Sequence, residues 1–191
     1  MSVTQIAGLI VVVGSLLFLV TPFVGSASLY RLAPEDRMAW IEGHSRTVAV
    51  QNSLVAIGSL MVAAGYVTWS IETVSLTGWI NATAAITIGL AAASTAAFFY
   101  QTTKSPESYH VADHISEVGY ASFVLMSAAA VLYGVLFLQA ATPDWVGLLS
   151  IVVGAFMGGA LVIAGGKELL PQPYYVVTLV AGALFLIEAG L

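Results

Sequence analysis

Six long apolar runs alternate with short polar segments along the chain. They lie at about 5–24, 47–69, 78–100, 117–140, 145–165 and 174–190. A helix needs roughly 20 apolar residues to cross a hydrocarbon core ~30 Å thick, and each run has about that length. The runs are continuous, unlike the ~10-residue alternating segments of an outer-membrane barrel. The pattern therefore predicts an all-α integral membrane protein with six transmembrane helices in a single domain over residues 1–191.

The composition supports lipid as the main solvent and partner of the chain. Hydrophobic residues make up 59% of the sequence and charged residues 8%, whereas soluble domains are about 25% charged. Only five residues are Lys or Arg, which excludes a nucleic-acid-binding surface. Cysteine is absent, which excludes disulfides, Cys-ligated metals and thiolate nucleophiles. Scarce lysine beside abundant alanine, valine and glycine favours a prokaryotic source.

The positions of the basic residues predict the orientation in the cell membrane. They follow the first, third and fifth runs, as Arg31, Arg37, Arg46, Lys104 and Lys167. Cytoplasmic loops of membrane proteins carry the excess of Lys and Arg. We therefore expect cytoplasmic loops at 25–46, 101–116 and 166–173, with both termini outside. The three arginines are expected to contact lipid headgroups or to pair with nearby carboxylates.

Aromatic residues near the ends of the runs predict the two membrane interfaces. Trp and Tyr concentrate at the headgroup level of a bilayer. The sequence places Trp69, Trp79 and Trp145 at the outer interface and Tyr174 and Tyr175, among others, at the inner one.

The chain resembles itself at a spacing of about 70 residues. Tyr30 corresponds to Tyr100 and His44 to His114, and each segment leaves one run and enters the next through a histidine. This similarity predicts three helical hairpins with an internal repeat, and binding sites often lie where repeats meet. The alternative is coincidence between two polar segments.

A cluster of histidines and carboxylates precedes the fourth run. His110, Asp113, His114 and Glu117 follow the spacing i, i+3, i+4 and i+7, which places them on one face if the segment is helical. His44 enters the second run at the equivalent position. We therefore expect the three histidines to converge at the cytoplasmic end of the bundle.

This cluster suits two kinds of cofactor. His44, His110 and His114 could hold zinc or another transition metal, with Asp113 or Glu117 as a further ligand or general base of a metal-dependent enzyme. Alternatively, His44 and His114 could ligate a haem b iron from both faces, as in a membrane redox subunit. The simpler alternative is a pair of solvated helix starts, and a proton-sensing role also fits histidine.

Two further hypotheses belong to other functional classes. Gln51 and Asn52 lie inside the second run, where they would line the path of a small solute, ion or proton, or bond neighbouring helices. The very short loops also fit an accessory subunit of a larger membrane complex, and small-residue faces such as Gly154 and Gly158 fit internal packing or a homo-oligomer. The sequence leaves open whether the protein is an enzyme.

Overall fold

The computed structural model describes residues 1–21, 32–73, 79–104, 116–140, 142–164 and 171–188. Within these ranges the secondary structure is entirely helical, as the apolar pattern predicts. The seven helices are α1 (Val3–Val20), α2 (Pro34–Gly43), α3 (Ser45–Thr73), α4 (Trp79–Lys104), α5 (Glu117–Gln139), α6 (Asp144–Ala164) and α7 (Gln172–Glu188).

Five of these helices, α1, α3, α4, α5 and α6, are long and apolar enough to cross a membrane. The apolar stretch of α7, Gln172–Ile187, is shorter. Large apolar side chains are exposed on the outside of the bundle, including Ile86, Val152, Phe156 and Ile163. A helical membrane protein accounts for such a surface, because lipid does not penalise it.

The helix ends follow from local sequence. Ser2 caps α1 by accepting a hydrogen bond from the Gln5 backbone N–H, while the Gln5 side chain accepts one from the Ser2 backbone N–H. Ser116 caps α5 in the same way through the Gly119 N–H. Pro34 occupies the first position of α2, where its missing N–H costs nothing. The segment containing α2 was expected to be a loop, so this short helix is an addition to the predicted fold.

The long helices pack antiparallel to their chain neighbours and close into a ring. Contacts join α1 to α3, α3 to α4, α4 to α5 and α5 to α6, and α7 returns to pack mainly on α1. One residue contact from each helix pair, in the same order, is Gly14 with Gly58, Asn52 with Thr102, Thr95 with Ser122, Gly134 with Gly147, and Ser15 with Thr178. The three hairpins stay a prediction, because α3–α4 and α5–α6 pack as extensively as α4–α5 and α1–α3, while α6 and α7 share a smaller contact.

The helices α1 and α3 cross in close contact. A Cβ atom added to Gly14 would lie 2.6 Å from the carbonyl oxygen of Gly58, and the reciprocal distance is also 2.6 Å. Any side chain at either position would collide with backbone, so glycine at both positions permits the contact.

Stacked aromatic rings fill the core. Phe18 stacks on Tyr175 with ring centroids 3.5 Å apart, and Trp69 stacks on Phe185 at 4.8 Å. Trp69 is only 1% exposed, and Tyr174 and Tyr175 are also buried. Each of these rings therefore contacts aromatic partners inside the bundle rather than facing outward, and their level relative to the membrane interfaces stays a prediction.

Candidate functional site

The described basic residues gather at one end of the bundle, called the basic end here. Arg46 lies in the first turn of α3 and Lys104 is the last residue of the antiparallel α4. Arg37 lies on α2, which rests on the start of α3 through buried Ile41 and Val48. The histidine cluster is expected at this end of the bundle.

His44 lies at the basic end, between α2 and α3. Its Nδ1 atom is 2.8 Å from the carbonyl oxygen of Trp40, and its ring stacks on the Trp40 indole at 4.3 Å between centroids. A carbonyl oxygen can only accept a hydrogen bond, so Nδ1 must donate. The neutral imidazole then carries its lone pair on Nε2, in an exposed side chain. His44 is therefore held in the tautomer whose Nε2 lone pair could bind a metal or accept a hydrogen bond from solvent.

The other members of the predicted cluster are placed only in part. His110, Asp113 and His114 lie outside the described residues. Glu117 is exposed and is the first residue of α5. Its predecessor Ser116 has an extended backbone, with ψ at 157°, so α5 does not continue helically back through it. A single helix face running from His110 to Glu117 is thus interrupted at Ser116.

No group of three or more His, Asp or Glu side chains suited to a metal occurs within the described part of the chain. The three-histidine site depends on His110 and His114, and it stays a prediction, as does the His44–His114 haem arrangement.

Gln51 and Asn52 connect helices near the basic end. The Gln51 side chain is 9% exposed and its amide donates to the Thr21 carbonyl at 3.4 Å. Asn52 donates to the hydroxyls of Thr102 and Thr103 at 3.1 and 2.9 Å. These contacts join α3 to α1 and to α4, as expected if Gln51 and Asn52 form hydrogen bonds to neighbouring helices. Their role in a solute path stays a prediction.

A large groove runs between α1 and α3 on the surface of the bundle that faces away from its core. Its volume is about 780 Å³, within the range of roughly 300–1,000 Å³ typical of ligand pockets. Its walls are Val13, Leu16, Leu17, Val20, Thr21, Arg46, Thr47, Val50, Gln51 and Leu54. Most of the walls are aliphatic, and the polar ones come together at the basic end.

Part of this groove could be read from the sequence. Arg46, Val50 and Leu54 recur at every fourth residue of α3, so they form one stripe with a cation at its end. Contact with lipid headgroups is one of the two roles expected for Arg46 from the sequence, the other being an ion pair with a nearby carboxylate. The wall supplied by α1 could not be predicted, because the register between α1 and α3 is fixed by the crossing of Gly14 and Gly58.

No protein-family model, curated protein sequence or solved structure gives a significant match to this chain.

Proposed function

We propose that this chain is an integral protein of the cell membrane with six spans, in which the groove between α1 and α3 binds an amphiphile with an anionic headgroup. In this proposal α7 is the sixth span. Its 17 residues correspond to about 25 Å at 1.5 Å per residue, at the short end of what crosses a bilayer. The basic end faces the cytoplasm and both termini face outside, in keeping with the positive-inside rule.

The observation that carries the proposal is the division of the groove into an aliphatic length and a polar end. The aliphatic walls from α1 and α3 suit an acyl or isoprenoid chain lying along the bundle. At the basic end Arg46 supplies a positive charge, and Thr47 and Gln51 supply hydrogen-bonding groups. Basic pockets between helices on the cytoplasmic side are a recurring type of site for anionic lipids.

Substituting Arg46 by glutamine is expected to weaken binding of an anionic phospholipid about fivefold, since one cation near the membrane surface contributes about 1 kcal/mol. The change removes the charge and keeps a polar side chain of similar length. Native mass spectrometry of the detergent-purified protein, titrated with phosphatidylglycerol or with phosphatidylcholine of the same acyl chains, measures the affinity for each.

Lys104→Gln is the matched control, because Lys104 is a cation at the same end but is not among the groove walls. Arg46→Gln should lower the preference for phosphatidylglycerol while Lys104→Gln leaves it unchanged. Equal effects of both substitutions would show that the total positive charge, rather than this groove, determines the preference for phosphatidylglycerol. The proposed binding of an anionic lipid in the groove would then lose its support.

A second proposal places a metal at the basic end, with His44, His110 and His114 as ligands and Asp113 or Glu117 as a ligand or general base. The hydrogen bond from His44 Nδ1 to the Trp40 carbonyl favours it, because metal-binding histidines commonly donate their second ring nitrogen to such a group. A zinc ion there would activate water for a hydrolytic enzyme. Haem b between His44 and His114 would make the chain a redox subunit instead.

The metal proposal predicts near-stoichiometric metal in protein purified in mild detergent without chelators. His44→Ala and His114→Ala should each strip most of it, because either change removes a ligand. Elemental analysis measures the metal, and an absorption spectrum of the same sample separates haem from other metals.

Glu72→Ala is the control for metal loss, since this carboxylate is exposed at the opposite end of α3. Folded wild-type protein without metal, or full occupancy in both histidine variants, would contradict the metal proposal while leaving the groove proposal intact.

A further inference from the structure

A small enclosed cavity lies in the core where α3, α5, α6 and α7 meet. Its volume is about 10 Å³, counted as space for the centre of a water molecule, and a single water needs about that much. Five of the residues that line it carry a hydroxyl group, namely Tyr66, Tyr133, Ser150, Tyr174 and Thr178. A cavity with this many hydroxyl groups around it differs from the apolar voids that stay dry.

Two of these hydroxyls have no hydrogen-bond partner within the protein. They are Tyr133 Oη on α5 and Ser150 Oγ on α6, and both side chains are 2% exposed. The Ser70 hydroxyl, which donates to the Val67 carbonyl at 2.9 Å, lies near enough to Tyr133 to interact with it electrostatically, but the pair does not have hydrogen-bond geometry. Buried hydroxyls are nearly always bonded to protein or to ordered water, because an unpaired one destabilises the fold.

Three other pairs of buried hydroxyls in the described core bond each other directly. Ser15 bonds Thr178 at 2.8 Å, Ser59 bonds Tyr175 at 2.7 Å, and Thr95 bonds Ser122 at 2.7 Å. The third buried atom without a partner, Gln172 Oε1, is in the first residue of α7 and is not part of this cavity. Both unpaired hydroxyls of the core therefore line the same water-sized space.

We infer that this cavity binds one ordered water molecule that bridges Tyr133 on α5 and Ser150 on α6. A water offers two donors and two acceptors, so it can satisfy both hydroxyls and still bond a further wall group. The site is separate from the groove between α1 and α3 and from His44, which lies at the basic end. It would give the aromatic core a fixed polar link between two helices that otherwise pack through small and aliphatic residues.

The first test is a density map of the full chain in lipid nanodiscs at a resolution that shows ordered waters. We expect one peak within hydrogen-bond distance of both Tyr133 Oη and Ser150 Oγ. A neighbouring cavity of similar size serves as an internal control. Two of its walls, Ser59 and Tyr175, already bond each other, so we expect no peak there. An empty first cavity, or peaks in both cavities alike, would overturn the inference.

The second test uses Tyr133→Phe and Ser150→Ala, each of which removes only one hydroxyl. If the water is present, each change should shift the unfolding equilibrium about fivefold toward the unfolded state, and the double variant should cost less than the sum. If the cavity is dry, deleting an unpaired hydroxyl should leave stability unchanged or raise it, which would contradict the bridging water. Tyr120→Phe on the exposed side of α5 is the control.

Discussion

Substituting Trp69 by alanine is expected to lower the free energy of unfolding by about 3 kcal/mol, the range typical of large aromatic residues removed from a core. Trp69 is 1% exposed and stacks on Phe185 of α7 at 4.8 Å. It also meets the edge of Phe137 of α5 at 4.9 Å. Its removal would leave a cavity between three helices, and lipid cannot fill a space enclosed by them.

Unfolding in mixed micelles with increasing sodium dodecyl sulfate measures this effect. Far-UV circular dichroism is the suitable signal, because tryptophan fluorescence changes with the substitution itself. Trp79→Ala is the matched control, since Trp79 is 76% exposed at the start of α4 and should change stability by less than ~0.5 kcal/mol. Similar losses for the two variants would contradict the burial of Trp69 in the bundle.

Substituting Gly14 by valine is expected to destabilise the bundle by about 2–3 kcal/mol, because an overpacked contact must separate the helices. The new Cβ atom would lie 2.6 Å from the Gly58 carbonyl oxygen and 2.9 Å from the Val62 backbone nitrogen. Backbone atoms cannot rotate away, so α1 and α3 must move apart. The same movement would widen the groove between them.

The same unfolding measurement checks this prediction. Gly89→Val on α4 is the control, since nothing lies within 4 Å of a Cβ atom built there, and valine is a better helix former than glycine. Stability at or above wild type is expected for that variant. If Gly14→Val were as stable as Gly89→Val, the close crossing of α1 and α3 would be wrong.

The long helices could be predicted from the sequence because apolar runs of membrane length are a strong signal. Predicted ends such as 117 and 140 fall beside the observed Glu117 and Gln139. The short α2 was missed because its ten residues include Glu35, Asp36, Arg37 and Glu42, and such polar segments are equally common in loops. The helix α2 contacts α3 through one small apolar cluster. Its sequence therefore has no periodic apolar stripe from which a helix could be predicted.

The pairing of helix faces could not be predicted, since it depends on three-dimensional register. Trp69, Tyr174 and Tyr175 sit near the ends of apolar runs, where an aromatic ring can face headgroups or turn inward to a neighbour. Likewise, Tyr133 and Ser150 are isolated hydroxyls on two different helices, and nothing in their spacing indicates a shared cavity. The spacing of the histidines predicts a common metal or haem site, and this prediction still depends on that spacing.

The pairing of α1 with α7 has a consequence for how the protein is made. Among the described helices α1 leaves the ribosome first and α7 last, yet Gly8 packs on Gly182 and Ser15 bonds Thr178. Contacts so distant in sequence form late, because the intervening chain must be in place first. The face of α1 that carries Ala7 and Val11, both fully buried in the finished bundle, therefore stays uncovered by α7 until that helix has been made. We therefore expect the described bundle to close by a docking step in which α7 completes the surroundings of α1.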